Sequence, residues 1–223
     1  MEPQGITFQN GTGPVLSGLW LSPPAPRAGL VLAHGAGAGM THRGMAAVAE
    51  GLAARGVATL RYQFPYMERG SKRPDPPPVA QAAVRAAVAE AVRRAGGLPL
   101  FAGGRSFGGR MTSQAQAEAA LVGVRGLVFF AFPLHPAGKP SDARAAHLDS
   151  VTVPMLFLQG TQDALAELEL LRPAVARLGA RATLRLAVDA DHSFHVPSRS
   201  GRKDAEVLAE LLDATVEWMA QQA

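Results

Sequence analysis

Short apolar runs alternate with longer amphipathic stretches through most of the 223 residues. Ile6–Phe8 and Val15–Leu21 read as a strand pair, with Asn10-Gly11 as the turn signal. Gly29–Ala33 is a short apolar strand. Arg43–Arg55 follows a helical period that puts Met45, Val48, Ala49 and Leu52 on one face, and Val57–Tyr62 is the next strand. A long loop rich in proline and charge, Gln63–Pro78, leads to an alanine-rich helix over Val79–Arg94, ended by Gly96-Gly97. Leu98–Ala102 predicts a buried strand, Gly108–Leu121 a helix and Gly126–Phe132 another buried strand, before an irregular segment from Pro133 to Thr152. The chain then reads strand (Pro154–Leu158), helix (Ala164–Leu178), strand (Thr183–Val188) and closing helix (Lys203–Met219). Strands alternating with helices of this length imply parallel pairing and a sheet covered on both faces. With no internal repeat and no linker, residues 1–223 form a single doubly wound α/β domain in this reading.

One junction in this pattern carries chemistry. Gly104-Arg105-Ser106-Phe107-Gly108 is a G-x-S-x-G sequence set between the predicted strand ending at Ala102 and the predicted helix from Gly108. A nucleophile elbow needs that placement: a strand that ends abruptly, a serine on a strained turn, and small neighbours that let strand and helix approach. The bland alternative is a glycine-rich loop with an incidental serine, and the strand–turn–helix context disfavours it.

A serine hydroxyl needs a base within hydrogen-bond reach, itself oriented by a third group. Asp163 follows the strand Pro154–Leu158, and His192 lies in the loop after the last strand, in the chain order Ser, acid, His expected after such an elbow. Asp163 could instead cap the helix beginning near Ala164, and Asp189 and Asp191 compete with it but crowd the histidine loop. His195 competes with His192, whose Asp-His position directly after the strand is favoured. His42 and His147 read as ordinary surface histidines. Two backbone N–H groups should face the developing oxyanion: that of Phe107, after the serine, and one from His34-Gly35-Ala36-Gly37-Ala38-Gly39, for which Ala36 is chosen. That glycine-rich loop is no dinucleotide fingerprint, because the third glycine position is Met40, and no Gly-Lys-Ser/Thr of a P-loop occurs.

Composition narrows the rest. With no cysteine there are no disulfides, thiolate metal sites or cysteine nucleophile, which suits a cytoplasmic protein. No apolar run approaches the roughly 18 residues of a membrane span, and Met1–Gly5 lacks the basic head of a secretory leader. The formal charge is +4 and the sequence pI about 10.1. The arginines are scattered, so nucleic acid is not an expected partner. No metal or other cofactor is expected, and oligomeric state is left open.

The chain resembles the α/β-hydrolases related to dienelactone hydrolase. More closely, it resembles a small branch that includes the testis-expressed hydrolase-like proteins and the homologous domain of a chromatin-acetyltransferase complex subunit. The matching pieces are His34–Gly37, Gly103–Arg110, Pro133–Pro136, Leu158–Asp163 and Asp191–Phe194. Serine replaces the cysteine of true dienelactone hydrolases, which puts their substrate in doubt. The resemblance implies a single-domain α/β-hydrolase fold without a large cap. The expected activity is hydrolysis of an ester, thioester or related acyl bond of a small soluble substrate by Ser106, His192 and Asp163, with Arg105, His135 and His195 as candidate substrate contacts. The alternative is a non-catalytic interaction module on the same fold.

Overall fold

The computed structural model describes residues 1–223. Its strands are β1 (Gln4–Phe8), β2 (Leu16–Leu21), β3 (Ala28–Ala33), β4 (Val57–Tyr62), β5 (Leu100–Arg105), β6 (Val124–Phe130), β7 (Met155–Gly160) and β8 (Ala182–Ala187). They form one sheet in the order β1-β2-β4-β3-β5-β6-β7-β8. The β1–β2 and β2–β4 pairings are antiparallel and every other pairing is parallel. The helices are α1 (Arg43–Ala53), α2 (Pro65–Glu68), α3 (Pro77–Ala95), α4 (Phe107–Glu118), α5 (Leu168–Arg177) and α6 (Asp204–Gln221).

Strands β3, β4 and β7 are buried along their whole length, as parallel strands with both faces covered must be. On one face α1 and α6 bury Met45, Leu52, Val207, Leu211 and Trp218 against Leu30, Leu32, Phe101 and Val128. On the other, α3 presents Ala80, Ala83, Ala87 and Ala91 to the core beside Met111 and Ala115 of α4 and Leu171 of α5. Alanines let α3 approach closely at little entropic cost, while each large apolar side chain enclosed contributes about 1.5–3 kcal/mol. Helix α3 stops at Gly96, whose φ of 57° forms a left-handed cap.

Three stretches differ from the sequence expectation. The Gln63–Pro78 loop contains the single turn α2, started by Pro65 at its first position. The Pro133–Thr152 segment contains a 3-10 turn over Ala143–Ser150. Helix α5 begins at Leu168 and not near Ala164, because the Asp163 carboxylate accepts the Leu165 N–H at 2.8 Å and holds residues 163–165 in a turn. No helix is long and apolar enough to cross a membrane.

The chain lays β4 on one side of β3 and then returns to place β5 on the other. Strand order therefore reverses between β3 and β5, and ligands of open α/β sheets bind at the carboxyl ends of the strands at such a point. The loop after β3 holds His34–Gly39, and the turn after β5 holds Ser106.

Candidate active site

Strand β5 runs three residues further than its apolar pattern, through Gly103, Gly104 and Arg105, and α4 starts at Phe107. Ser106 alone makes the turn, at φ 50° and ψ −116°. A non-glycine residue at positive φ is strained by about 1–3 kcal/mol and persists only where its surroundings fix it. The glycines are what permit the crowding. A Cβ on Gly103 would lie 1.8 Å from the Val128 carbonyl oxygen, and one on Gly108 would lie 2.5 Å from that of Ala33.

Three strand ends converge on this turn. The Ser106 hydroxyl donates to His192 Nε2 at 2.9 Å. The other ring nitrogen, Nδ1–H, donates to Asp163 Oδ2 at 2.7 Å. Asp163 is only 2% exposed. Its carboxylate also accepts from the Gln159 side-chain amide and the Leu165 N–H, so the buried charge has the hydrogen bonds that burial demands. His192 keeps 24% of its side chain in solvent, enough for a substrate to reach it. This chain of contacts fixes the imidazole tautomer with Nε2 free to take the serine proton. Asp189 and Asp191 stand outside it: the Asp191 carboxylate binds the backbone N–H groups of Ser193 and His195, and the Asp189 N–H donates to Thr161.

The N–H groups of Phe107 and Ala36 make no hydrogen bond within the protein. The β3 loop presses against the elbow, since a Cβ on Gly35 would lie 3.9 Å from Ser106 Cβ. Side chains outside the Ser106–His192–Asp163 chain hold that loop in place. His34, fully buried, donates from Nδ1 to the Gly35 carbonyl at 2.8 Å and accepts the Phe64 N–H on Nε2 at 3.1 Å. Burial pushes its pKa down to about 4, against the opposing effect of the Gly35 bond. The Tyr66 hydroxyl donates to the Ala36 carbonyl at 2.9 Å, and Gln63 accepts the Met40 N–H.

Of the candidate substrate contacts, His135 is corrected. It is wholly buried, with Nδ1 on the Pro136 carbonyl and Nε2 on the Glu167 carboxylate, so it ties the β6 loop to the start of α5 and no substrate reaches it. His195 is exposed but bonds Asp204 at the start of α6, and Asp204 also accepts the Val196 N–H. Its pKa is raised by the Asp204 bond and charge, and it makes no contact with Ser106. Arg105 donates to the His192 carbonyl at 3.2 Å and lines a small pocket of about 110 Å³ with Met45 and Phe194, which places it behind the histidine loop. His147 is not the surface residue expected: it is half-buried and hydrogen-bonded to Ser113 of α4 at 2.7 Å. Ser113 is fully buried and donates to the Arg110 carbonyl. No carboxylate stands behind this second Ser–His pair, which fastens the 143–150 turn to α4. His42 is exposed and caps α1 through the Gly44 N–H. No cluster of His, Asp and Glu could hold a metal ion.

A family model described as an alpha/beta hydrolase domain matches residues 26–220. The chain belongs to the alpha/beta hydrolase family. Among solved structures, a dienelactone hydrolase from Anabaena variabilis is 21% identical, covers 100% of this chain and 99% of its own, and has a TM-score of 0.78. A serine hydrolase without lid from Xanthomonas campestris is 22% identical, covers 97% and 95%, and has a TM-score of 0.77. An alpha-beta serine hydrolase homologue from Coxiella burnetii is 20% identical over 97% of both chains, with a TM-score of 0.74. At these identities the likeness is one of fold. In this alpha/beta hydrolase a groove of about 1050 Å³ lies between the β1–β2 turn and α3 and does not include Ser106.

Proposed function

We propose that the protein is a serine hydrolase that cleaves a carboxylic ester, thioester or related acyl bond of a small substrate. The observation that carries this reading is the hydrogen-bonded chain from buried Asp163 through His192 to Ser106 on a strained turn. Ser106 Oγ attacks the acyl carbon while its proton passes to His192 Nε2. The oxyanion faces the free N–H groups of Phe107 and Ala36. Collapse breaks the bond to the leaving group, which takes the proton from His192 and departs, leaving an acyl-Ser106 ester. Water then attacks that ester, gives one proton to His192 and forms the acid product, and the proton returns to Ser106. The motifs at Gly103–Arg110 and Pro133–Pro136 support placement near the testis-expressed hydrolase-like branch. The cysteine-free chain is compatible with action in the cytoplasm.

The test is covalent labelling with a fluorophosphonate probe alongside turnover of an activated short ester. Wild type should label and turn over; Ser106→Ala should stay folded, resist the probe and lose about a thousandfold or more in rate. Equal labelling or turnover in folded Ser106→Ala would overturn the assignment.

A further inference from the structure

Two arginines, one on α4 next to the elbow and one on the turn packed along α4, form no ion pair. Arg110 begins the second turn of α4, its N–H bonded to the Ser106 carbonyl at 3.1 Å, so its Cα lies about one helical turn, roughly 5–6 Å, from the nucleophile's. Its guanidinium sits 5.9 Å from the centroid of the Phe107 ring, the residue that offers an oxyanion N–H. Arg144 belongs to the 143–150 turn, which the His147–Ser113 bond fastens along α4.

The surroundings of this pair lack what two cations ordinarily require. Neither arginine forms an ion pair or a side-chain hydrogen bond, and Arg110 Nε is closed off from solvent with no acceptor. The acids flanking Arg144 in the chain are engaged elsewhere: Asp142 and Asp149 face Arg177. Burial lowers the pKa of both guanidinium groups, and the charge of Arg144 lowers that of Arg110 further. Partly buried donors without acceptors are costly, and a guanidinium fork is shaped to receive a carboxylate.

We propose that Arg110 and Arg144 form an anion subsite, so that the acyl substrate carries a carboxylate a few bonds from the scissile carbonyl. This rests on the serine-hydrolase reading above and names its substrate class. An anion there, met by the open ends of the guanidinium groups, would supply the counter-charge that the protein withholds and relieve the repulsion between the two cations.

The experiment compares two acyl esters that differ only in a terminal carboxylate or its methyl ester, with spontaneous hydrolysis subtracted. At low salt, wild type should favour the carboxylate member about tenfold or more in kcat/KM, chiefly through KM, and added salt should erode the preference. Arg110→Gln and Arg144→Gln should each bring the ratio towards one, whereas Arg172→Gln, on the exposed side of α5, should leave it unchanged. Equal use of both esters by wild type, or an intact ratio in both site variants, overturns the subsite. Failure to cleave either ester would instead count against the hydrolase reading. The subsite is then judged by binding: glutarate should raise the melting temperature of Ser106→Ala by a few degrees, as roughly expected for ligand well above its dissociation constant. Sodium chloride of equal ionic strength should not, and neither should glutarate with Ser106→Ala/Arg144→Gln. No selective effect of glutarate overturns the proposal.

Discussion

Acidification should strike at His34. The ring is buried, and both nitrogens are committed in the neutral form: Nδ1–H donates to Gly35, and bare Nε2 accepts the Phe64 N–H. Adding a proton to Nε2 would set two donors against each other at 3.1 Å. Burial accordingly holds the folded pKa at about 4 against 6.5 for the free side chain. Between these values the unfolded chain binds a proton that the folded one refuses, so stability is fully present above pH 6.5 and drains away as pH falls through about 4. The whole difference is worth about 3 kcal/mol, of which about 2 kcal/mol should be lost between pH 7 and pH 5. That is a large part of a typical stability of roughly 5–15 kcal/mol. His147, also held at about 4 by burial and by the Arg110 charge, changes stability in the same direction, so the wild-type pH dependence alone does not isolate His34. The informative quantity is the pH dependence of urea unfolding in wild type minus that in His34→Gln, which keeps an amide donor and acceptor but cannot titrate. A difference near zero between pH 7 and pH 5, or a His34 imidazole that titrates near 6.5 by NMR in the folded protein, would refute the reasoning.

Other expectations follow from single contacts. Gly108→Ala sets a methyl 2.5 Å from the Ala33 oxygen and 2.6 Å from that of His34; it should cost about 1–3 kcal/mol or more, and an unchanged melting temperature would contradict the close approach of helix and loop. Gln159→Leu removes an amide donor from buried Asp163 and should lower kcat about ten- to a hundredfold through misorientation of His192, with little change in KM; steady-state kinetics at wild-type kcat would show that the amide does not position the acid. With only a 3-10 turn in place of a cap, a series of acyl esters from two to sixteen carbons should level off early in kcat/KM. A sustained rise of up to about fourfold per methylene, the equivalent of 0.8 kcal/mol, would reveal an apolar tunnel.

The sequence exposed the sheet well because its strands are buried on both faces and stand out as short apolar runs. Val57–Tyr62 matches β4 to the residue, and the order Ser106, Asp163, His192 puts each member at the end of a strand. The missed boundaries have local causes. The last half of β5 is Gly103-Gly104-Arg105, which has no apolar signature, and it is strand because Gly103 and Gly104 pair with Val128 and Phe129 in register. The start of α5 is set by a side chain turning back on its own backbone at Asp163, which no periodicity records. His135 and His147 looked accessible because histidine in a loop gives no sign of burial; their partners, Glu167 and Ser113, lie 32 and 34 residues away.

The distinction between what was legible and what was not follows the distinction between reacting and holding. Groups that would react must be of one type in one chain order, so Ser106, Asp163 and His192 announce themselves. Groups that hold need only reach a carbonyl or an amide, and many side chains can do that. His34 grips Phe64 across 30 residues, and Arg105 grips the carbonyl of His192 itself across 87. Gln159 reaches only four residues along the chain, but to the one carboxylate that orients the imidazole. Each of the three acts on a different strand-end loop: the oxyanion loop, the histidine loop and the acid turn. A site without a cap has no closing domain to assemble these loops when substrate arrives, so their geometry has to be set in advance by such contacts. Loss of a holding residue should therefore lower kcat while Ser106 remains present and labelled by the fluorophosphonate, a pattern that separates it from loss of a triad member.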